Sequence, residues 1–173
     1  MKLLKSSIHP NIDTLDGKSI FKRLSTRAIA LKGEEILLLH TKRYEDYSFP
    51  GGGVNPGENI LDALTRELNE ETGAQNIRDI KPFGIYEEHR PWYKPEYDLV
   101  HMISYCYSCS VDSALGQTNY EQYEVDNGMK PLWINIFEAI EHNEKTLHSS
   151  DKKGLSLERE IFLLKLVAEK LLP

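Results

Sequence analysis

The spacing of apolar and polar positions changes several times along the chain, and each change marks an element. From Thr26 the stretch "TRAIALKGEEILLLHTKR" predicts a strand, a turn at Lys32 to Glu34 and a second strand through Ile36 to Thr41. "YEDYSFPGGGVNPGE" follows, with prolines, glycines and no period, and reads as a loop. Asn59 then has the character of a helix N-cap, with Asp62 three residues on in a capping-box-like place. Ile60, Leu61, Leu64 and Leu68 form one helical stripe, and Gly73 is a natural stop. Strand patterns follow around Ile80 to Glu87, Leu99 to Val111 and "PLWIN" at Trp133. Asn135 with Glu138 signals a second cap and a short helix through Ile140. In the tail, apolar residues at 157, 161, 164, 168 and 171 predict a helix capped by Ser156. Strands outnumber helices and the two interleave, which points to an α/β sandwich.

A helix as apolar as the last one must pack on the domain, with a homodimer through that helix as the alternative. The first twenty residues, with Pro10, Asn11 and Gly17, read as a loose arm or an edge element. The expected organisation is an arm over 1–20, a domain over 21–145 and a C-terminal helical segment over 146–173.

Composition narrows the function. The chain has 173 residues, enough for one domain with a core that needs no disulfide. No apolar run approaches the ~20 residues that span a bilayer. "MKLLKSSIHPN" lacks a following apolar segment, so the expected location is cytoplasmic, without a membrane partner. The formal charge of −6 and the lack of a dense Lys/Arg cluster argue against a nucleic-acid partner. An acidic protein acting on a polyanion needs metal ions or a few placed cations. Cys106 and Cys109 have C-x-x-C spacing, which invites a zinc or redox reading. On a strand, positions three apart face opposite ways, so packing is the favoured role for both thiols.

The densest chemistry lies in "GGVNPGENILDALTRELNEETGA", Gly52 to Ala74. Glu67, Glu70 and Glu71 project within one ~100° sector of the helix. Arg66, the one cation near them, points away from the Glu67/Glu71 edge on a helical wheel and reaches only Glu70 along its flank. Taken alone, such a face is either a solvated helix surface or an oxygen-donor site for Mg²⁺ or Mn²⁺. The fixed positions Gly52, Glu58, Arg66, Glu67, Leu68, Glu70, Glu71, Gly73 and Ala74 separate these alternatives, because their spacing resembles the box of the Nudix (MutT-like) hydrolases throughout. The preceding "SFPGGG" is similar to the usual approach to that box. The resemblance is specific over 26–76, and general, in the order of strands and helices, as far as Glu144.

This resemblance implies an α/β/α sandwich with a mixed sheet between helices. It also implies divalent-cation-dependent cleavage of a pyrophosphate in a nucleoside diphosphate linked to another group, with a small nucleotide derivative as substrate. On it, Glu67, Glu70, Glu71 and the Gly51 carbonyl would be metal ligands. Arg66 would hold a box carboxylate and Glu58 would orient the turn or the ligand set. The general base would come from "GQTNYEQYEVDNGM", which holds Glu121, Glu124 and Asp126, or would be Glu67 itself. Pro91, Trp92 and Tyr93 stand near, but off, the family's markers for ADP-ribose and dinucleoside polyphosphate enzymes, so neither subgroup is assigned. Trp92, Tyr93 and Tyr97 would stack on a base or pack under a loop. Lys42, Arg43 and Arg90 are candidate phosphate contacts. A ligand sensor without turnover is the alternative function, and an isomerase of the same superfamily a third. Both would be expected to depart from the box, which is intact here.

Overall fold

The computed structural model describes residues 1–173. Its strands are β1 (Leu3–Ile8), β2 (Ile20–Lys32), β3 (Glu35–Thr41), β4 (Asp46–Ser48), β5 (Arg78–Pro91), β6 (Leu99–Ser110) and β7 (Met129–Asn135). The helices are α1 (Ile60–Thr72), α2 (Gln122–Asp126), α3 (Ile136–Ser149) and α4 (Leu157–Leu171). The sheet order is β1-β5-β6-β2-β3-β4, with β7 on the other side of β3. β2 runs parallel to β6 and β1 parallel to β5, whereas the remaining pairs are antiparallel, so the sheet is mixed.

Alternation along β2 and β3 builds the layers. Ile29, Ile36 and Leu38 face α3 and α4, where they meet Ile136, Ala139, Leu163, Leu164 and Val167. Ala28, Ala30 and Leu37 face the other way, onto Leu64 and Leu68 of α1. Both sheet faces are therefore covered, giving an α/β/α sandwich. The two cysteines fall on opposite layers, Cys106 toward α4 and Cys109 toward α1, and both are free thiols. Burial pushes Cys106 up to about 12 and Cys109 up to about 11, as suits packing groups rather than nucleophiles.

Several local expectations need correcting. Residues 46–48 of the predicted loop form β4, because Asp46 to Ser48 pair with Thr41 to Leu39. β5 is longer than its apolar pattern, since β6 continues to pair with it through Pro91. Val111 lies beyond the end of β6. Leu61 is exposed, because the covered stripe of α1 runs through Ala63, Leu64, Leu68, Glu71 and Thr72. Asn59 does cap α1, accepting from Leu61 N–H at 2.9 Å, and Gly73 ends it in the left-handed region. Asn135 caps α3 as expected, but that helix continues to Ser149 rather than stopping near Ile140. Ser156 makes no side-chain cap bond. β1 is an edge strand, and the apolar face of α4 is buried in the chain's own core. No helix is long and apolar enough to cross a membrane.

Candidate active site

The glycine loop is fastened along the middle of β2. Ala28 N–H donates to Pro50 O at 2.8 Å, Thr26 N–H to Gly52 O at 2.9 Å, and Val54 N–H to Leu24 O at 3.0 Å. So close an approach excludes side chains. A Cβ at Gly51, whose φ is +140°, would lie 2.0 Å from Thr26 O, and one at Gly52 would lie 2.5 Å from the Glu67 carboxylate. Gly51 N–H donates to Glu71 Oε2 at 2.6 Å. The Gly51 carbonyl accepts from the Arg27 guanidinium, a cation buried inside the strand.

Around this loop α1 gathers its acids on one arginine. Arg66 donates to both oxygens of Glu58 at 2.7 and 2.9 Å, to Glu67 at 2.8 Å, to Glu70 at 3.3 Å and to Gly53 O at 3.2 Å. The helical wheel misplaced this residue. It treats a side chain as a rigid spoke, whereas four flexible bonds let the guanidinium curl back over Glu67. Arg66 holds Glu58 down to about 2, by hydrogen bonding above all. Glu71 differs from its neighbours. Burial pushes its carboxyl well above the usual range, the Gly51 N–H opposes this, and Glu67 and Glu124 push it further up.

The loop after β6 is tied to the same helix end. Asn119 N–H donates to Glu70 O at 2.7 Å and Gly116 N–H to Gly73 O at 2.7 Å. From there α2 brings Glu124 within electrostatic reach of Glu67 and Glu71. Its carboxylate accepts from Glu121 N–H at 2.7 Å and Tyr123 OH at 3.1 Å, and burial raises its pKa. Glu121 and Asp126 are exposed, and Asp126 is engaged by Gln122 at 2.9 Å. Of the three acids in that loop, only Glu124 is buried beside the box.

A cavity of about 540 Å³ opens next to Glu124, lined by Arg23, Arg90, Trp92, Tyr93 and Tyr123 among others. Arg90, Trp92 and Tyr93 thus share one cavity with Glu124. Lys42 and Arg43 line a separate cavity of about 700 Å³ instead, where Arg43 donates to Asn127 at 3.1 Å. Tyr97 is stacked on Phe21, with ring centroids 5.3 Å apart.

Five charged residues escaped the sequence reading. Arg23 lies over Trp92 at 5.9 Å, and a Cβ on Gly53 would meet its guanidinium at 2.6 Å. Arg27, Glu88, Arg159 and Glu160 are all buried. Arg159 is paired with Glu88 and, at 2.6 Å, with Glu160, which accepts from Phe49 N–H at 2.9 Å. The available signal was a charge inside an apolar pattern. Arg27 interrupts "TRAIAL", and Glu160 lies on the stripe made by Leu157, Ile161 and Leu164.

Residues 22–156 match the model of the NUDIX domain. The chain belongs to the NUDIX family. It is a MutT-like Nudix pyrophosphohydrolase, and hydrolysis of a pyrophosphate is its general chemistry. Among curated Nudix relatives, the nucleoside triphosphatase NudI of Salmonella paratyphi B and that of Salmonella newport are each 30% identical over 115 residues. In both cases the match covers 63% of this chain and 77% of the relative. A crystal structure of a MutT NUDIX hydrolase from Burkholderia pseudomallei superposes with a TM-score of 0.50 at 20% identity. It covers 67% of this chain and 84% of that one, and shows the same fold.

The donors of this Nudix site are all oxygens, which suits a hard divalent cation. Glu71 is a carboxyl pushed up by burial and by two acidic neighbours, which the Gly51 N–H and the Arg27 guanidinium offset only in part. A divalent cation fits that deficit. The side chains are not gathered at ligand spacing, since no group of three acids, histidines or cysteines converges. Arg66 holds Glu67 and Glu70, while Gly51 N–H holds Glu71.

Proposed function

We propose that the protein uses Mg²⁺ or Mn²⁺ to hydrolyse a small nucleoside triphosphate or a nucleoside diphosphate linked to another group. The observation that carries this reading is Glu124, which lies within electrostatic reach of Glu67 and Glu71 and lines the 540 Å³ cavity. The relatives' designation as nucleoside triphosphatases supports a nucleotide substrate. Glu67, Glu70, Glu71 and the Gly51 carbonyl would hold the metal. Once bound, the cation would neutralise phosphoryl oxygens and lower the pKa of water.

The remaining work falls to the protein. Arg66 keeps Glu58, Glu67 and Glu70 in place before substrate arrives. Arg23, lying against Gly53, and Arg90 at the cavity wall bind phosphate oxygens. Trp92, Tyr93 and Tyr123 receive the nucleoside. Glu124 takes a proton from the attacking water as its oxygen bonds to phosphorus. The bridging P–O bond breaks, and its electron pair leaves with the departing phosphate.

The test is a product assay on ADP-ribose, nucleotide sugars, (d)NTPs and dinucleoside polyphosphates with Mg²⁺ or Mn²⁺, beside Glu71→Gln. Turnover of one class that disappears in Glu71→Gln and on chelation supports the reading. Binding without turnover across the panel refutes it in favour of a ligand sensor.

A further inference from the structure

The cavity beside Glu124 has two walls of different chemistry. One is aromatic, formed by Trp92, Tyr93 and Tyr123. The other is the β3–β4 pair. Thr41 and Asp46 are partners in register, and Ser48, two residues on, shares their face, so three polar side chains line the cavity together. Thr41 is 7% exposed and Asp46 5%.

The Asp46 carboxyl bonds to no other side chain and has its own backbone N–H as partner. Buried carboxyl oxygens ordinarily have their hydrogen bonds filled, and each one left open is costly. Here the open positions face a space large enough for a ligand. Gly154 keeps that space clear, because a Cβ there would stand 3.2 Å from Asp46 Oδ2. Arg23, against Gly53 of the box loop, marks the phosphate end of the same cavity. A nucleotide with its phosphates at Arg23 and its ring against the aromatic side chains would occupy the same cavity that Thr41, Asp46 and Ser48 line.

We infer that Asp46, flanked by Thr41 and Ser48, reads the nucleobase and selects bases carrying an exocyclic amino group over their keto counterparts. This rests on the nucleotide reading above. An ionised carboxylate accepts hydrogen bonds only, so an amino group satisfies it and a keto oxygen in the same place repels it. The cost of a mismatch is that of a buried charged group without its partner, which sets the discrimination at roughly 10- to 100-fold.

The experiment compares kcat/KM at pH 8 for CTP against UTP and ATP against ITP, pairs in which a keto group replaces the amino group and the adjacent ring nitrogen gains a hydrogen. The expected result is a preference of roughly tenfold or more for the amino member of each pair, falling below about threefold in Asp46→Asn with UTP turnover retained. Gly154→Ala, which crowds the carboxylate without altering it, should shrink the same ratios and keeps the test open if Asp46→Asn does not fold. Equal rates within each pair in the native protein overturn the inference. So does a uniform loss across all four nucleotides in Asp46→Asn, which would make Asp46 a structural group. If none of the four is turned over, the nucleoside triphosphate arm of the proposed function fails separately, and the ratios are then read as calorimetric binding to Glu71→Gln protein with Mg²⁺. Equal binding within each pair, or no binding of any of the four, also overturns the role of Asp46.

Discussion

Replacing Glu160 by leucine tests whether the last helix holds the active-site loop in place. Glu160 is fully buried and serves two partners, taking Arg159 at 2.6 and 3.0 Å and Phe49 N–H at 2.9 Å. Leucine removes all three bonds. Arg159, 3% exposed, keeps only Glu88, and breaking one half of a buried ion pair costs about 3–5 kcal/mol. The Phe49 N–H, also buried, loses its acceptor at about 1–3 kcal/mol. Against this, Asp46 loses an acidic neighbour that was raising its pKa, which returns part of the loss. A net destabilisation of about 4 kcal/mol follows, a large share of the ~5–15 kcal/mol that holds a typical domain together. Urea unfolding at pH 8 measures it, with Glu160→Gln as the conservative partner that still accepts from Phe49 N–H. Because Phe49 stands two residues before Gly51, kcat should fall in Glu160→Leu even where the variant is fully folded, with Glu160→Gln intermediate. A change below about 1 kcal/mol with unaltered kcat would refute the reasoning.

Other substitutions separate the remaining parts. Asp46 has a folded pKa of about 7 against an ordinary 3.8, so the native state holds its proton more tightly and stability falls as pH rises through that window. Asp46→Asn should therefore be more stable than the native protein by up to about 4 kcal/mol at pH 8 and no more stable at pH 4, as read by urea midpoints. Gly52→Ala places a Cβ 2.5 Å from the Glu67 carboxylate, a flexible group that can swing aside. Turnover should drop by roughly 100-fold while the melting temperature moves by only a few degrees. Arg66→Lys cannot reproduce the fork on Glu58, Glu67 and Glu70. It should lower kcat by roughly tenfold, less than Glu71→Gln does, and equal losses would assign Arg66 to direct contact with the reacting group.

Much of this arrangement was readable in advance where local pattern and local chemistry agree. Asn59, the Leu64/Leu68 stripe and Gly73 delimit α1 by caps and period, and the box acids are carried on that helix. The opposed faces of Cys106 and Cys109 followed from strand geometry alone. What stayed hidden depends on partners distant in sequence. The polar stretch after Ile140 remains helical because Asn143 bonds the Tyr47 backbone and Thr146 bonds Glu45 O, contacts that no propensity encodes. β1 is a strand because β5 is there to pair with it. Arg159 and Glu160 are charges on an apolar helix, and the groups that receive them, Glu88 and Phe49 N–H, lie far away in sequence. Asp46 sat in a stretch with no period, and its burial depends on α4 and the turn at Gly154.

The bond from Phe49 N–H to Glu160 spans 111 residues. During synthesis the ribosome therefore releases the box, its acids and the sheet well before the group that steadies the loop beside them. A nascent chain that has emerged only as far as α3 holds the residues proposed for chemistry without the anchor that aligns them. Turnover should begin as a step when residue 160 clears the exit tunnel, rather than growing with each strand added.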